Sequence, residues 1–191
     1  KLYIKEKYKK PGNVYLGLVH RLDRPVGGIM IFAKTSKAAS RLSNQVREKV
    51  FKKKYLAVVD GRFDKKSGTL EDYLYKDERN NISKVVNKEK KNSKYAKLDY
   101  KELAFNEVKK LSLLEINLHT GRHHQIRVQL SSRDHSIYGD QKYSGRGHGK
   151  QITLWAYKLK IIHPTTKEEM EFKDLPEPIG TWCILKEVAK R

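Results

Sequence analysis

His20-Arg21-Leu22-Asp23-Arg24-Pro25-Val26-Gly27-Gly28 is the stretch on which the reading of this chain turns, and Asp23 is its centre. The carboxylate lies between Arg21 and Arg24, and a proline and two glycines lead into the apolar run Ile29-Met30-Ile31-Phe32-Ala33. Proline fixes φ, and glycine permits backbone that other residues avoid. The pattern predicts a shaped loop entering a buried strand, with one acid held among cations. A nearby cation favours the ionised carboxylate, the form a nucleophile needs. Local chemistry alone favours a plainer role, an aspartate that braces the loop by a salt bridge to arginine.

Upstream, residues 1–10 suit a short surface helix ended by Pro11-Gly12. Downstream, Leu42 and Val46 stand four apart behind Thr35-Ser36, which predicts a basic-faced helix over 37–47 with Ser36 as its N-cap. Lys52-Lys53-Lys54-Tyr55-Leu56-Ala57-Val58-Val59-Asp60-Gly61 reads as a β-strand. Residues 61–68 read as a basic turn, and 76–94 as a solvated hairpin or flexible insert with no chemistry. Residues 95–100 alternate as a strand does, and 111–118 form another with Leu114, Ile116 and Leu118 on one face.

That last strand runs into His119-Thr120-Gly121-Arg122-His123-His124-Gln125-Ile126-Arg127-Val128-Gln129-Leu130. Gly121 ends the strand, Thr120 caps the next segment, and His123, His124 and Arg127 share one side of the predicted helix. On these residues alone, a solvated basic face is the better reading. Three histidines in six residues have no acid or cysteine partner at ligand spacing, so no metal is expected. Beyond them, 145–149 read as a mobile basic loop, 152–157 and 158–164 as two late strands, and 174–180 as irregular chain before a short helix.

Lysine and arginine number 42 against 22 aspartates and glutamates, a formal net charge of +20 in 191 residues. That excess predicts a polyanionic partner, nucleic acid first and an anionic membrane surface second. No apolar stretch approaches the roughly 20 residues of a membrane span, and no basic-then-apolar signal pattern opens the sequence. The single Cys183 offers neither a disulfide framework nor a cysteine metal cluster. The expectation is one soluble, cytoplasmic domain with no internal repeat or linker.

Three of these segments, in this order, resemble the signatures of RluA-type pseudouridine synthases, which isomerise uridine in structured RNA. His20-Arg21-Leu22-Asp23 with its glycine turn is similar to the family's catalytic loop. Residues 52–61 resemble its second motif, with Tyr55 as the motif tyrosine, and 120–127 resemble its Thr-Gly-Arg-x-His-Gln-[Leu/Ile]-Arg motif at every fixed position. Residues 95–100 resemble an Ala-x-Thr-x-Tyr segment with Leu98 for threonine, and 139–143 resemble Gly-Asp-x-x-Tyr. Two departures bear on the shape of the pocket: Val26-Gly27-Gly28 replaces Thr-Ser-Gly, and Trp155 replaces histidine. The chain starts without methionine and lacks the family's upstream Asn-Lys-Pro segment, so it reads as trimmed or as a shorter natural form.

The resemblance implies a single α+β catalytic domain over 1–191, with no separate RNA-binding domain. Its mixed, mostly antiparallel bent sheet would carry flanking helices and a central basic cleft. It implies Asp23 as nucleophile, on ribose or on base, and Arg127 as the partner that keeps it ionised. Tyr55 would stack on the uracil and help remove the C5 proton, as phenolate if Lys54 and Arg127 approach it. The target uridine would leave its stack, with Arg21 filling the space. His20, Arg21, Arg122, His124 and Gln125 are the expected contacts to a structured rRNA or tRNA, met by a monomer. Isomerisation needs no group donor, and no nucleotide-binding glycine motif is present, so no cofactor is expected. A non-catalytic RNA-binding domain is the alternative. An N-ribosyl hydrolase comes third, because glycoside hydrolysis ordinarily uses two carboxylates.

Overall fold

The computed structural model describes residues 1–144 and 150–188; the loop expected at 145–149 lies outside them. Its framework is set by β4 (Lys52–Asp60), whose apolar run alternates between two faces. Tyr55, Ala57 and Val59 enter one core with Ile126 and Leu130 of α3 (Gln125–Ser131). Leu56 and Val58 enter a second, closed by Ile184 of the 3-10 turn Gly180–Ile184 and partly by α4 (Leu185–Val188). Ala57, Val58 and Val59 have no solvent exposure, which explains a strand lacking any polar residue from 55 to 59.

Antiparallel neighbours flank β4: β8 (Leu111–Leu118) on one side and β9 (Leu154–Ile162) on the other. The sheet continues through β7 (Lys94–Asn106), β5 (Ser67–Asp77) and β6 (Ile82–Val86), and ends beyond β9 at β10 (Glu169–Lys173). This is the expected α+β class, with α2 (Ser36–Arg47) packed near β9 through Leu42, Leu159 and Ile161. The polar stretch after residue 76 is the β5–β6 hairpin, and α1 (Leu2–Lys7) is the exposed helix expected at the start.

Several local expectations are corrected. Residues 29–33 do not form one buried strand. Gly27–Gly28 (β2) pairs in parallel with Trp155–Ala156, and only Phe32–Ala33 (β3) pairs again, with Gly17–Leu18 (β1). Between them the Ile31 amide donates to the His20 ring, and Phe32 is 45% exposed. The N-cap of α2 is Thr35, whose hydroxyl accepts from the Ala38 amide at 3.1 Å. Val46 is exposed although it stands four residues from buried Leu42. The two late strands are one, β9, with a register shift that leaves Tyr157 as an extra residue against β4.

The pairing of β2 with β9 explains why Gly27 and Trp155 occur together. Gly28 has φ +117°, and a Cβ there would lie 2.4 Å from the Ala156 carbonyl oxygen. A Cβ on Gly27 would lie 2.2 Å from the Trp155 ring. The serine expected at 27 and the tryptophan at 155 therefore exclude each other, and glycine is the complement of the larger ring. Gly27→Ser should cost about 1–3 kcal/mol as an overpacked contact, and much less in a Trp155→His background. Urea midpoints of the two singles and the double give the coupling; additive midpoints would show the sites to be independent.

Candidate active site

Because β2 takes the half of the β9 edge next to residues 155 and 156, it brings the Asp23 loop one strand away from Tyr55. The Val26 amide donates to the Asp23 carbonyl at 2.9 Å, closing a turn around Arg24-Pro25, and Gln151 donates to the Pro25 carbonyl. Leu22 and Val26 pack on the main core, so the loop is anchored on both sides of Asp23, whose side chain remains 31% exposed.

On the facing wall, the loop before α3 is organised by Gln125. Its Oε1 accepts from the Thr120 hydroxyl (2.7 Å) and the Arg122 amide (3.0 Å), and its Nε2 donates to the Lys97 carbonyl (3.1 Å). Thr120 Oγ1 accepts from the Lys97 amide, so it ties the loop to β7 and does not cap the helix. His124 occupies the N-cap in the left-handed region, φ 52°, and α3 starts only at Gln125. His123 therefore lies outside the helix and does not share one helical side with His124 and Arg127.

Arg127 is 3% exposed. Its guanidinium grips Asp140 with two parallel bonds, Nε to Oδ2 at 2.7 Å and Nη2 to Oδ1 at 2.6 Å. Its remaining arm, Nη1, lies 3.6 Å from Asp23 Oδ2. The expected Arg127–Asp23 approach is present, but its closest pairing is with Asp140. Asp140 is 1% exposed, and its Oδ1 also accepts from the Lys142 and Tyr143 amides. A Cβ on Gly139 would lie 2.4 Å from the Gln151 carbonyl oxygen, so the turn that presents Asp140 requires glycine there.

A second path to Asp23 runs through His124. Its Nε2 lies 3.9 Å from Asp23 Oδ2, and its Nδ1 is 3.0 Å from the Tyr143 hydroxyl. Burial first, and Arg127 second, push its pKa down to about 3, so the ring is neutral. The Tyr143 hydroxyl has one proton and two acceptors in reach, His124 Nδ1 and the Ser83 carbonyl at 3.3 Å. Tyr143 also accepts from the Ser83 amide at 2.6 Å, and Arg127 sits over its ring at 5.1 Å. His123 stacks on His124 and bonds to Ser83 and Asn81, so the β5–β6 hairpin is part of the site.

Asp23, His124 and Arg127 line an open cleft of about 650 Å³ together with Arg21, Arg24 and Lys142. Beside it, a recess of about 230 Å³ has apolar walls from Tyr55, Val26, Leu118 and Leu154, with Asp23 and Arg127 at its edge. Tyr55 is buried on the Asp23 side. Burial first, and the Asp23 charge second, raise its hydroxyl pKa. The expected phenolate is therefore disfavoured: Lys54 projects from the other face of β4, where it pairs with Glu115 at 2.7 Å.

Arg21 is exposed and lines both spaces, and Arg122 lines the recess with Nε donated to the Tyr95 carbonyl. Gln125 borders the recess, with its Oε1 bonded into the loop and its Nε2 to the Lys97 carbonyl of β7. His20 borders neither space; it is buried edge-on to Phe51 and supports the Ile31 amide. The sequence reading passed over Asp140, Tyr143, Asn81 and Ser83. Only the Gly139-Asp140-x-x-Tyr143 pattern pointed toward two of them.

A mostly antiparallel sheet with an aspartate loop facing an arginine-bearing helix across a basic cleft defines the class of protein. The family described as RNA pseudouridylate synthase matches residues 1–132, and the chain belongs to that family. An uncharacterized RNA pseudouridine synthase of Bacillus subtilis is 35% identical over 78% of this chain and 49% of its own length. One from Mycoplasma pneumoniae is 37% identical over 82% and 51%. A tRNA pseudouridine synthase C of Vibrio parahaemolyticus is 32% identical over 81% and 70%. The chain thus spans about half the length of the first two relatives. The solved structure of human RNA pseudouridylate synthase domain containing 1 superposes with a TM-score of 0.76 at 25% identity, covering 94% of this chain and 75% of that one.

Proposed function

We propose that this chain isomerises uridine to pseudouridine in structured RNA, with rRNA or tRNA as the substrate class. The observation that carries the reading is Asp23, partly exposed at the mouth of an apolar recess and 3.6 Å from a buried arginine. Relatives bearing the names tRNA pseudouridine synthase C and ribosomal large subunit pseudouridine synthase D support the substrate class.

In this mechanism the target uridine leaves its stack and enters the recess, where Tyr55 faces the base. An Asp23 oxygen bonds to C1′ as the C1′–N1 bond breaks and its electron pair passes to the uracil ring. The base turns, C5 bonds to C1′, and the Asp23 carboxylate leaves. The C5 proton must then go, while N1 ends protonated. A neutral Tyr55 hydroxyl cannot simply take that proton. It can relay it, accepting from C5 as it gives its own to the freed Asp23 carboxylate. Asp23 then loses that proton to solvent and N1 takes one up, which restores the carboxylate and completes the exchange of C5–H for N1–H. Arg127 presents its charge to the Asp23 carboxylate before attack and after release, and His124, neutral at 3.9 Å, adds no charge of its own beside it.

RNA carrying tritium at uridine C5 tests the reading: wild-type protein should release the label as pseudouridine forms. Free uracil among the products would establish a hydrolase. No release from any cellular RNA that the protein binds would leave an RNA-binding domain on this fold. With activity in hand, Tyr55→Phe should keep RNA affinity and lose at least about 10²-fold in turnover, the lower range for proton-transfer catalysis. Tyr55→Leu should also weaken binding, since stacking contributes about 1–3 kcal/mol. A Phe variant as fast as wild type would remove the hydroxyl from the mechanism.

A further inference from the structure

A second groove, of about 380 Å³, leads away from the recess between the end of α2 with the start of β4 and the 117–121 segment. Lys53, Leu118 and Gly121 line both spaces, so the groove opens directly onto the site of the flipped base. We propose that this groove carries the RNA strand flanking the target uridine, with Lys53 on the phosphate next to the flipped nucleotide and Lys49 and Lys52 on the phosphates beyond it. The inference rests on the pseudouridine synthase reading for the identity of the flipped base, and on the groove itself for the path.

Charge selects this side of the cleft. Among the described residues no carboxylate lines the groove. Among the described residues Lys49, Lys52 and Lys53 make no salt bridge, whereas adjacent Lys54 is paired with Glu115 and Lys97 with Glu71. The groove on the opposite flank, along the β5–β6 hairpin, includes Asp77 and Glu78 in its walls. Lys53 is the informative cation. Strand alternation puts it on the face of Tyr55, two residues away, and it sits over the Phe51 ring at 5.2 Å. Burial lowers its pKa, the mark of an ammonium held in a poorly solvated place without an internal counter-ion. A phosphate is the anion that a nucleic-acid cleft supplies there.

The groove also has a surface for a base. Val46 ends the inner stripe of α2, yet remains 37% exposed here, opposite Leu118. The His119 ring beside them is held by Asp99 at 2.5 Å. Apolar and planar surface next to a row of unpaired cations is the composition of single-strand paths, where bases cover side chains and phosphates meet lysines.

The test measures RNA affinity against salt for three proteins: wild type, Lys49→Gln/Lys52→Gln/Lys53→Met, and the opposite-flank variant Lys76→Gln/Arg79→Gln/Lys94→Gln. Circular dichroism and melting confirm that each is folded. Each lost phosphate contact to a single strand should reduce the slope of log K against log salt by about 0.7. The groove variant should therefore lose about 2 from its slope, and the opposite-flank variant should match wild type. A slope that falls only in the opposite-flank variant, or in neither, overturns the path. Tritium release by wild type is scored separately on the same RNA. Loss of slope in the groove variant without release by wild type would uphold the groove and reject the isomerase; release with an unchanged slope would do the reverse.

Discussion

Asp23→Asn is expected to abolish pseudouridine formation, by at least about 10⁴-fold, the scale seen when a covalent nucleophile is removed. RNA affinity should stay within a few-fold of wild type. The amide keeps the shape of the carboxylate but cannot bond to C1′ and leave again. The surrounding structure also tolerates the change. Arg127 keeps its two bonds to Asp140 whether or not position 23 is charged, so no buried cation is left unpaired. Asp23 is only partly buried, and its loop is held by Leu22, Val26 and the Gly27–Gly28 pairing, none of which depends on the carboxylate. An unchanged melting temperature with intact RNA binding and no tritium release is the full expected pattern. Release near the wild-type rate would mean that another group attacks the nucleotide.

Asp23, Tyr55 and Arg127 were singled out by the resemblance, each in a short contiguous motif, where the residues alone favoured plainer roles; the structure brings the three to one recess. The groups that surround them were not legible in the sequence. Arg127 was expected to serve Asp23, and its main partner proved to be Asp140, 13 residues further on. That pairing depends on how the 139–143 turn folds back on α3, which no local pattern encodes. His123 and His124 obey helical spacing on paper, but the Gln125 side chain bonds into the preceding loop and delays the helix past both. The apolar run 29–33 looked continuous because hydropathy does not register where backbone donors go; one of them goes to the His20 ring. A phenolate at Tyr55 was conditional on the approach of Lys54 and Arg127; burial and Asp23 oppose it, and the Lys54 half of the condition fails for a reason the sequence did contain. Adjacent strand residues face opposite ways, so Lys54 could not accompany Tyr55 into the cleft.

The Arg127–Asp140 pair carries the second large effect, and it separates framework from chemistry. Both side chains are almost wholly buried, at 4% and 0% side-chain exposure. Removing one charge from such a pair strands the other, at a cost of about 3–5 kcal/mol. Asp140→Asn should therefore lower the unfolding free energy by about that amount and slow turnover too. Among the described residues the released guanidinium has Asp23 at 3.6 Å as its next carboxylate, and a tight pair there would hold the proposed nucleophile away from C1′. Arg127→Met should cost less stability, because Asp140 keeps its bonds from the Lys142 and Tyr143 amides. In the double variant neither charge remains, so its loss of stability should fall below the sum of the singles by about 1–3 kcal/mol, the range for contacting residues. Turnover in the double should stay low, because nothing then orients Asp23. Recovery of stability without recovery of activity identifies Arg127 as a group held by Asp140 in order to act on Asp23. If Asp140→Asn unfolds like wild type and turns over normally, Arg127 does not need Asp140, and its orientation must come from the Tyr143 ring and the body of α3.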